Sequence, residues 1–364
     1  MINVTKSSMP EYTEYCNCIK ELWENRHLTN YGIYHNKFQK KLESLFGINN
    51  VIPIVNGTIA LLLGLSAMDF PKESEIITTP FSFVATSSSI VWQNYKPVFV
   101  DIESDTFNID YKKIENSINQ NTKAILAVHA FGNPCNTEKL REIANKYHLK
   151  LIYDAAHSFG VNYKGKSLLH YGDISILSFH ATKVFHTIEG GAICTRNDEL
   201  GYKIKKKMNF GQGEDNNIED IGINGKMNEF QAIMGLLNLD KIEEDINKRK
   251  AIYFHYIEGL KSLNTEFQLL NCSYKDYNFC YFPILFKNNI IRDEVYETLY
   301  ENGIVPRKYF YPLINDMEPY KIYHNNDTPI AKNISDRILT LPLYSDLTIE
   351  ESDKVIELIK QTIN

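Results

Sequence analysis

The sequence predicts an α/β fold: a mainly parallel central sheet with helices on both faces, followed by a smaller C-terminal α+β lobe. Three observations carry this. Between residues 50 and 155 short apolar runs alternate with helical patterns at βαβ spacing, which requires crossover helices between parallel strands. A chain of 364 residues can fill one large core and a second, smaller one. Past about residue 275 the alternation gives way to single strands and helices, which divides the chain into a large domain, 1–262, and a small one, 263–364.

The elements follow in order. Residues 10–30 read as a helix, with Tyr15, Ile19, Leu22 and Trp23 at helical spacing. A turn-rich loop, Leu28–Gly32, separates it from an amphipathic helix over 34–46 that carries Phe38, Leu42 and Leu45 on one side. Val51–Val55 is a buried strand, Asn56-Gly57-Thr58 a turn, and Ile59–Leu65 a helical run. A strand, a glycine turn and a helix start leave free N–H groups and a positive dipole end facing an anion. Ordinary helix capping explains the same turn. Strands are expected at 75–79, 97–102, 122–128 and 151–154, with helices ending near Trp92 and over 137–147. Beyond them come an apolar run into Ser178, a strand at 192–195, a helix at 197–209, a polar loop to 225 and a long helix through 262. In the second lobe, 280–286 reads as a strand and 291–302 and 350–362 as helices.

Composition excludes several functions. The chain is 43% hydrophobic and 23% charged, with a net charge of −6, so no basic footprint calls for nucleic acid. There is no polybasic segment for a membrane surface and no apolar run near the ~20 residues of a spanning helix. The first residues lack the apolar core of a signal peptide. The six cysteines form no Cys-x-x-Cys pair, so neither zinc nor a disulfide framework is expected, and the compartment expected is the reducing cytoplasm. No Gly-x-Gly-x-x-Gly opens the alternating region, which argues against a dinucleotide dehydrogenase.

Two residues carry chemistry. Lys183 follows an apolar run and has mostly apolar or hydroxylated neighbours. A desolvated lysine loses its proton more readily and can condense with an aldehyde. Asp154 ends the strand Leu151–Asp154, where an open α/β sheet places its ligand groups. A lysine together with such an acid is the pairing pyridoxal 5′-phosphate needs, the acid keeping the ring nitrogen protonated. Alone, Lys183 reads as a surface lysine, Asp154 as a helix cap and His157 as a buried, hydrogen-bonded histidine. Gly190 and Gly191 let the backbone pass close to a flat ligand.

Asp154-Ala-Ala-His157, Ser178-Phe-His-Ala-Thr-Lys183 and Glu189-Gly-Gly191 together resemble the DegT/DnrJ/EryC1/StrS family, from near residue 20 almost to the C-terminus. The resemblance implies fold-type I and an aminotransferase acting on a nucleotide-linked keto sugar. It implies that Lys183 and Asp154 are catalytic and that Asn56, Gly57, Thr58 and Ser178 hold the cofactor phosphate. His157 then meets the cofactor's phenolic oxygen. Phe83 lies on its ring, with Phe81 the neighbouring alternative. Asn224 reaches the phosphate of a partner subunit, with Asn228 the second choice, in a homodimer with shared sites. For the substrate it implies Thr29, Gly32, Glu189, Arg307, Lys308, Tyr309 and Tyr311, the two cations and the aromatics suiting a nucleotide diphosphate and its base or sugar. Many relatives carry histidine where this chain has Phe310, which removes one polar contact. The motifs are most similar to those of enzymes making dTDP-4-amino-4,6-dideoxyglucose for bacterial surface polysaccharide. That implies L-glutamate as donor, 2-oxoglutarate as its product and dTDP-4-keto-6-deoxy-D-glucose as acceptor. Amination at C3, a sugar dehydratase and a non-catalytic PLP-binding regulator are the alternatives; relatives that dehydrate place histidine where Lys183 stands.

Overall fold

The computed structural model describes residues 1–263, 265–268, 270–324 and 326–363. A seven-stranded sheet forms its centre. In spatial order the strands are Asn50–Ile54, Gly191–Thr195, Ile174–Ser178, Lys150–Asp154, Thr122–Val128, Glu75–Thr78 and Lys96–Phe99. Six run one way. Gly191–Thr195 alone is reversed, pairing antiparallel with both neighbours. Its first residue must be small: a Cβ on Gly191 would lie 2.8 Å from the backbone at Asn56 and Gly57. The inner strands are buried on both faces, as continuous Ile, Leu, Val and Ala runs demand. Helix Gly57–Ser66 is apolar on nearly all sides because sheet and neighbouring helices enclose it.

Two helices, Tyr12–Asn25 and Ile33–Phe46, precede the sheet. The first stops short of residue 30 because Arg26 turns left-handed (φ 55°) and returns its N–H to the Leu22 carbonyl. Only Leu22 of that helix is buried, and Trp23 is 69% exposed. Leu45 also faces outward, so its helix packs through Tyr34, Phe38, Leu42 and Phe46.

Helix Glu229–Leu260 links the lobes; its 32 residues span ~48 Å at ~1.5 Å each. Asn228 opens it with a capping box, its side chain accepting from Gln231 N while Gln231 accepts from Asn228 N. Its start packs in one core with Phe38 and Phe179, and its end contributes Ile252, Tyr253, Tyr256 and Leu260 to the small-lobe core. The small lobe holds an antiparallel sheet of Glu266–Phe267, Phe282–Leu285 and Ile338–Leu341. Helices Asn289–Glu301, Pro329–Arg337 and Ile349–Ile363 complete it. The chain start also belongs here: Ile2–Asn3 pairs in parallel with Ile304–Val305. Among the described residues no helix is long and apolar enough to cross a membrane.

Candidate active site

Strands Asn50–Ile54, Lys150–Asp154 and Ile174–Ser178 all deliver residues to one cleft of ≈ 430 Å³. Its floor begins at the turn after the first strand. Asn56 caps the following helix, Oδ1 accepting from Ile59 N at 2.8 Å. Gly57 and Thr58, the first two helical residues, line the cleft with Ser178 opposite. First-turn N–H groups have no intrahelical acceptor, so this end is an anion cradle. A Cβ on Gly57 would lie 2.9 Å from Ser178 Cβ, so a larger residue would fill the cradle. Capping uses the Asn56 side chain and leaves the first-turn N–H groups of Gly57 and Thr58 free of intrahelical acceptors, so the two uses of this turn do not compete.

Asp154 is the last residue of its strand and is 6% exposed. Thr86 Oγ1 donates to its Oδ2 at 2.7 Å, and Ala156 N donates to its Oδ1 at 3.1 Å. Ser82 Oγ lies 2.8 Å from Thr86 Oγ1 and extends the chain. Burial pushes the Asp154 pKa up; the Thr86 and Ala156 hydrogen bonds and the Lys183 charge pull the other way. A buried carboxylate in this state favours a cationic partner.

Lys183 sits in the irregular segment between Ser178 and Gly191. That segment is held from within by Lys183 N to His180 O at 2.9 Å and Thr187 N to Phe179 O at 2.9 Å. It is also held from the chain start. Ser7 Oγ donates to Ala181 O at 2.7 Å, and the His186 ring lies 2.7 Å from Ser8 O through Nε2. Ile188 N donates to His186 Nδ1 at 3.1 Å, so Nε2 carries the proton and donates to Ser8 O. Burial lowers the Lys183 pKa from 10.5 to about 8; Asp154 and Cys280 oppose this and Arg307 adds to it.

The walls are aromatic. Phe83, 57% exposed, lines the cleft, whereas Phe81 is fully buried against Phe107, Phe131 and Phe310. The geometry therefore separates the two: Phe83 is the ring available to a ligand. His157 lines the cleft with its ring parallel to those of Phe131 and Phe310 and edge-on to Tyr281. Burial and the Lys183 charge hold its pKa well below 6.5, which keeps it neutral.

Arg307, Tyr309 and Glu189 also line the cleft. Lys308 and Tyr311, expected beside the substrate, do not. Lys308 Nζ pairs with Asp293 at 2.5 Å and lies over the Tyr296 ring. Tyr311 packs under Arg292 and Lys332. After the Arg307–Thr340 bridge the chain turns, Tyr311 N donating to Lys308 O at 2.8 Å, and this turn leaves Arg307, Tyr309 and Phe310 on the cleft side and Lys308 and Tyr311 outside it. Thr29 and Gly32 are likewise absent from the cleft of this chain. Gly32 precedes helix Ile33–Phe46, and a Cβ there would lie 2.4 Å from Glu229 Cδ, whose carboxylate accepts from Tyr34 N and His35 N. Asn224 is exposed and outside the cleft, while Asn228 is spent on capping.

Four cleft residues had no sequence signal. His129 stacks on Tyr153 at 4.4 Å. His180 Nδ1 lies 2.8 Å from Thr182 Oγ1, and its Nε2 3.5 Å from Glu189 Oε1. Ser82 reaches the cleft from the loop after strand Glu75–Thr78. Only the placing of His180 and Thr182, three residues and one residue before Lys183 in the same motif, could have pointed to any of them.

Pyridoxal 5′-phosphate fits this donor set. An anion cradle, a half-buried amine at about 8, a buried carboxylate and an exposed flat ring line one cleft. The comparisons agree. Residues 11–360 match the DegT/DnrJ/EryC1/StrS aminotransferase family. The chain is 40% identical to a dTDP-4-amino-4,6-dideoxy-D-glucose transaminase of Shigella dysenteriae, covering 99% of this chain and 98% of that protein. It is also 40% identical to the transaminase of the same name from Escherichia coli, covering 98% of each. Among solved structures, DesI in the presence of its TDP-sugar product superposes with a TM-score of 0.93 at 28% identity, over 99% of this chain and 92% of that one. NtdA of Bacillus subtilis with bound cofactor PMP does so with a TM-score of 0.89 at 30% identity, over 96% and 81%. The chain belongs to the DegT/DnrJ/EryC1/StrS family and is a PLP-dependent aminotransferase.

Proposed function

We propose that this aminotransferase moves an amino group from L-glutamate to C4 of dTDP-4-keto-6-deoxy-D-glucose, giving dTDP-4-amino-4,6-dideoxy-D-glucose. The observation that carries the chemistry is the sharing of one cleft by Lys183 and Asp154. The two 40% identical relatives named for that product support the acceptor and the position. A 32% identical relative, named as a 3-oxo-glucose-6-phosphate:glutamate aminotransferase, supports glutamate as donor.

Lys183 would hold the cofactor covalently through Nζ, and the Gly57–Thr58 helix end with Ser178 would hold its phosphate. When bound, pyridoxal phosphate supplies a conjugated, protonated ring that accepts the electron pair left when a proton leaves carbon. Asp154 keeps that ring nitrogen protonated: its burial, unfavourable to a lone anion, strengthens attraction to a cation. Neutral His157 offers a ring nitrogen to the cofactor's phenolic oxygen, and Phe83 covers one ring face. Lys183 Nζ, once free, has a pKa near working pH, so it would take the donor's α-proton and pass it to the cofactor's exocyclic carbon. The keto sugar then uses the same groups in reverse, which requires ping-pong kinetics.

The site is shared in a homodimer in this reading. Asn224 lies on a loop whose Phe210, Ile218, Ile221 and Ile223 are all exposed, Ile221 by 88%. Such an apolar loop suits an isologous contact that carries Asn224 to the partner's phosphate cradle. The reaction is set in the cytoplasm, and its product serves bacterial surface polysaccharide. A 30% identical Salmonella relative named as a lipopolysaccharide biosynthesis protein agrees with that role. The test is product analysis: PLP-loaded protein, L-glutamate and dTDP-4-keto-6-deoxyglucose should yield a sugar with nitrogen on C4 by NMR. Nitrogen on C3, or no product, would overturn the assignment.

A further inference from the structure

We propose that Arg307 is the seat for the carboxylate of the amino donor and of its 2-oxo acid product, and not for the nucleotide diphosphate. This rests on the aminotransferase reading above and adds to it the residue that recognises one of the two substrates.

The charges in the cleft lead there. Its cationic side chains are Lys183 and Arg307, and its carboxylates are Asp154 and Glu189. Asp154 is committed to Thr86 and Ala156, and Glu189 faces His180. Among the described residues Arg307 has no carboxylate partner; its side chain meets only Tyr309, donating from Nη1 to the phenol oxygen at 2.8 Å. A guanidinium has five N–H donors, so most of the fork is left for a ligand. A planar fork of this kind matches a carboxylate with two parallel hydrogen bonds. The backbone beneath it is fixed: Arg307 N donates to Thr340 O at 3.1 Å, and Thr340 N donates to Arg307 O at 2.7 Å. Tyr309 and Phe310 stack beside it and continue into the parallel rings of Phe131 and His157. The fork therefore sits on a rigid wall of the same cleft.

Size then decides which anion. In an α-amino acid the carboxylate is two bonds from the nitrogen that must meet the Lys183 position. In a 4-keto nucleotide sugar the diphosphate lies on the far side of the pyranose ring from C4. Arg307 and Lys183 line the same cleft of ≈ 430 Å³. An anion on Arg307 is then near the reacting nitrogen, which fits the amino acid and not the diphosphate. The second cation once expected beside it, Lys308, is paired with Asp293 and faces away, so the two-cation clamp a diphosphate would use is absent from this wall.

The test uses the PLP-loaded protein, its Arg307→Gln and Arg307→Lys variants, and two ligands that cannot turn over in that form, 2-oxoglutarate and dTDP. Binding is measured by calorimetry. Loss of a charge-assisted pair of hydrogen bonds, worth ~1.5–3 kcal/mol, weakens binding by roughly 10- to 150-fold. Arg307→Gln is expected to weaken 2-oxoglutarate by that factor and dTDP by less than about threefold, with partial recovery in Arg307→Lys. The rate at which L-glutamate bleaches the cofactor colour should show the same loss as a raised half-saturation concentration. Unchanged 2-oxoglutarate binding, or a loss confined to dTDP, overturns the proposal. A sugar product aminated at C3 would overturn the C4 assignment while leaving these binding ratios valid.

Discussion

Replacing Lys183 with Met in the cofactor-free protein should stabilise it at neutral pH, even though it removes the residue that chemistry depends on. The magnitude follows from the burial of the amine. Its pKa falls from 10.5 in the unfolded chain to about 8 in the fold. At ~1.4 kcal/mol per pH unit this is ~3 kcal/mol of unfavourable work in keeping the folded amine charged. Between pH 8 and 10.5 the unfolded chain binds more protons than the fold, so wild-type stability rises with pH across that window. Below about 8 both states are protonated and the whole cost is present. Removing the amine also takes a cation from beside Asp154, which offsets part of the gain. The Lys183→Met variant should therefore be ~1–3 kcal/mol more stable at pH 7. The advantage should fade as pH rises toward 10.5. Urea unfolding of both proteins at pH 7, 8, 9 and 10 measures the difference curve directly. A difference that is flat in pH would place the amine in water and refute the reasoning.

Other expectations follow from single contacts. Thr86→Val removes a 2.7 Å donor from Asp154 and should raise its pKa by about one unit or more, at ~1.5–3 kcal/mol for a hydrogen bond to a charged group. The acid limb of the pH–rate profile should move upward; an unmoved limb would separate Thr86 from the function of Asp154. Gly57→Ala puts a methyl 2.9 Å from Ser178 Cβ, and PLP affinity by fluorescence titration should drop on the order of 10-fold or more, a cost of ~1–3 kcal/mol. Ser8→Ala deletes a 2.7 Å bond to the buried Asp245 and should cost ~1–3 kcal/mol in urea unfolding.

The sequence showed most plainly those residues whose chemistry contradicts their setting. Asp154 and Lys183 are ionisable groups closing apolar runs, and the fold gathers both at one cleft. The Asn56-Gly57-Thr58 turn was legible for the same reason, since a strand, a glycine and a helix start form a local pattern. Lys308 and Tyr311 lie outside the cleft because residue types do not tell which side of the Lys308–Tyr311 turn each side chain takes. Phe81 and Phe83 could not be separated until the helix start put one in the core and the other in the cleft. Strand Ile2–Asn3 had no local signal because its partner, Ile304–Val305, lies at the far end of the chain. Strand Ile338–Leu341 and helix Pro329–Arg337 are not among the elements the apolar pattern predicts, although Pro329 at the first helical position is a start signal.

Everything proposed here depends on where the cofactor is attached. Borohydride reduction of the PLP-loaded protein, followed by proteolysis and mass spectrometry, fixes the cofactor permanently to whichever amine carries it. The label should fall on Lys183 alone, and Lys183→Met should take up none. A label on Lys226 or on any other lysine, with Lys183 unmodified, would contradict the account.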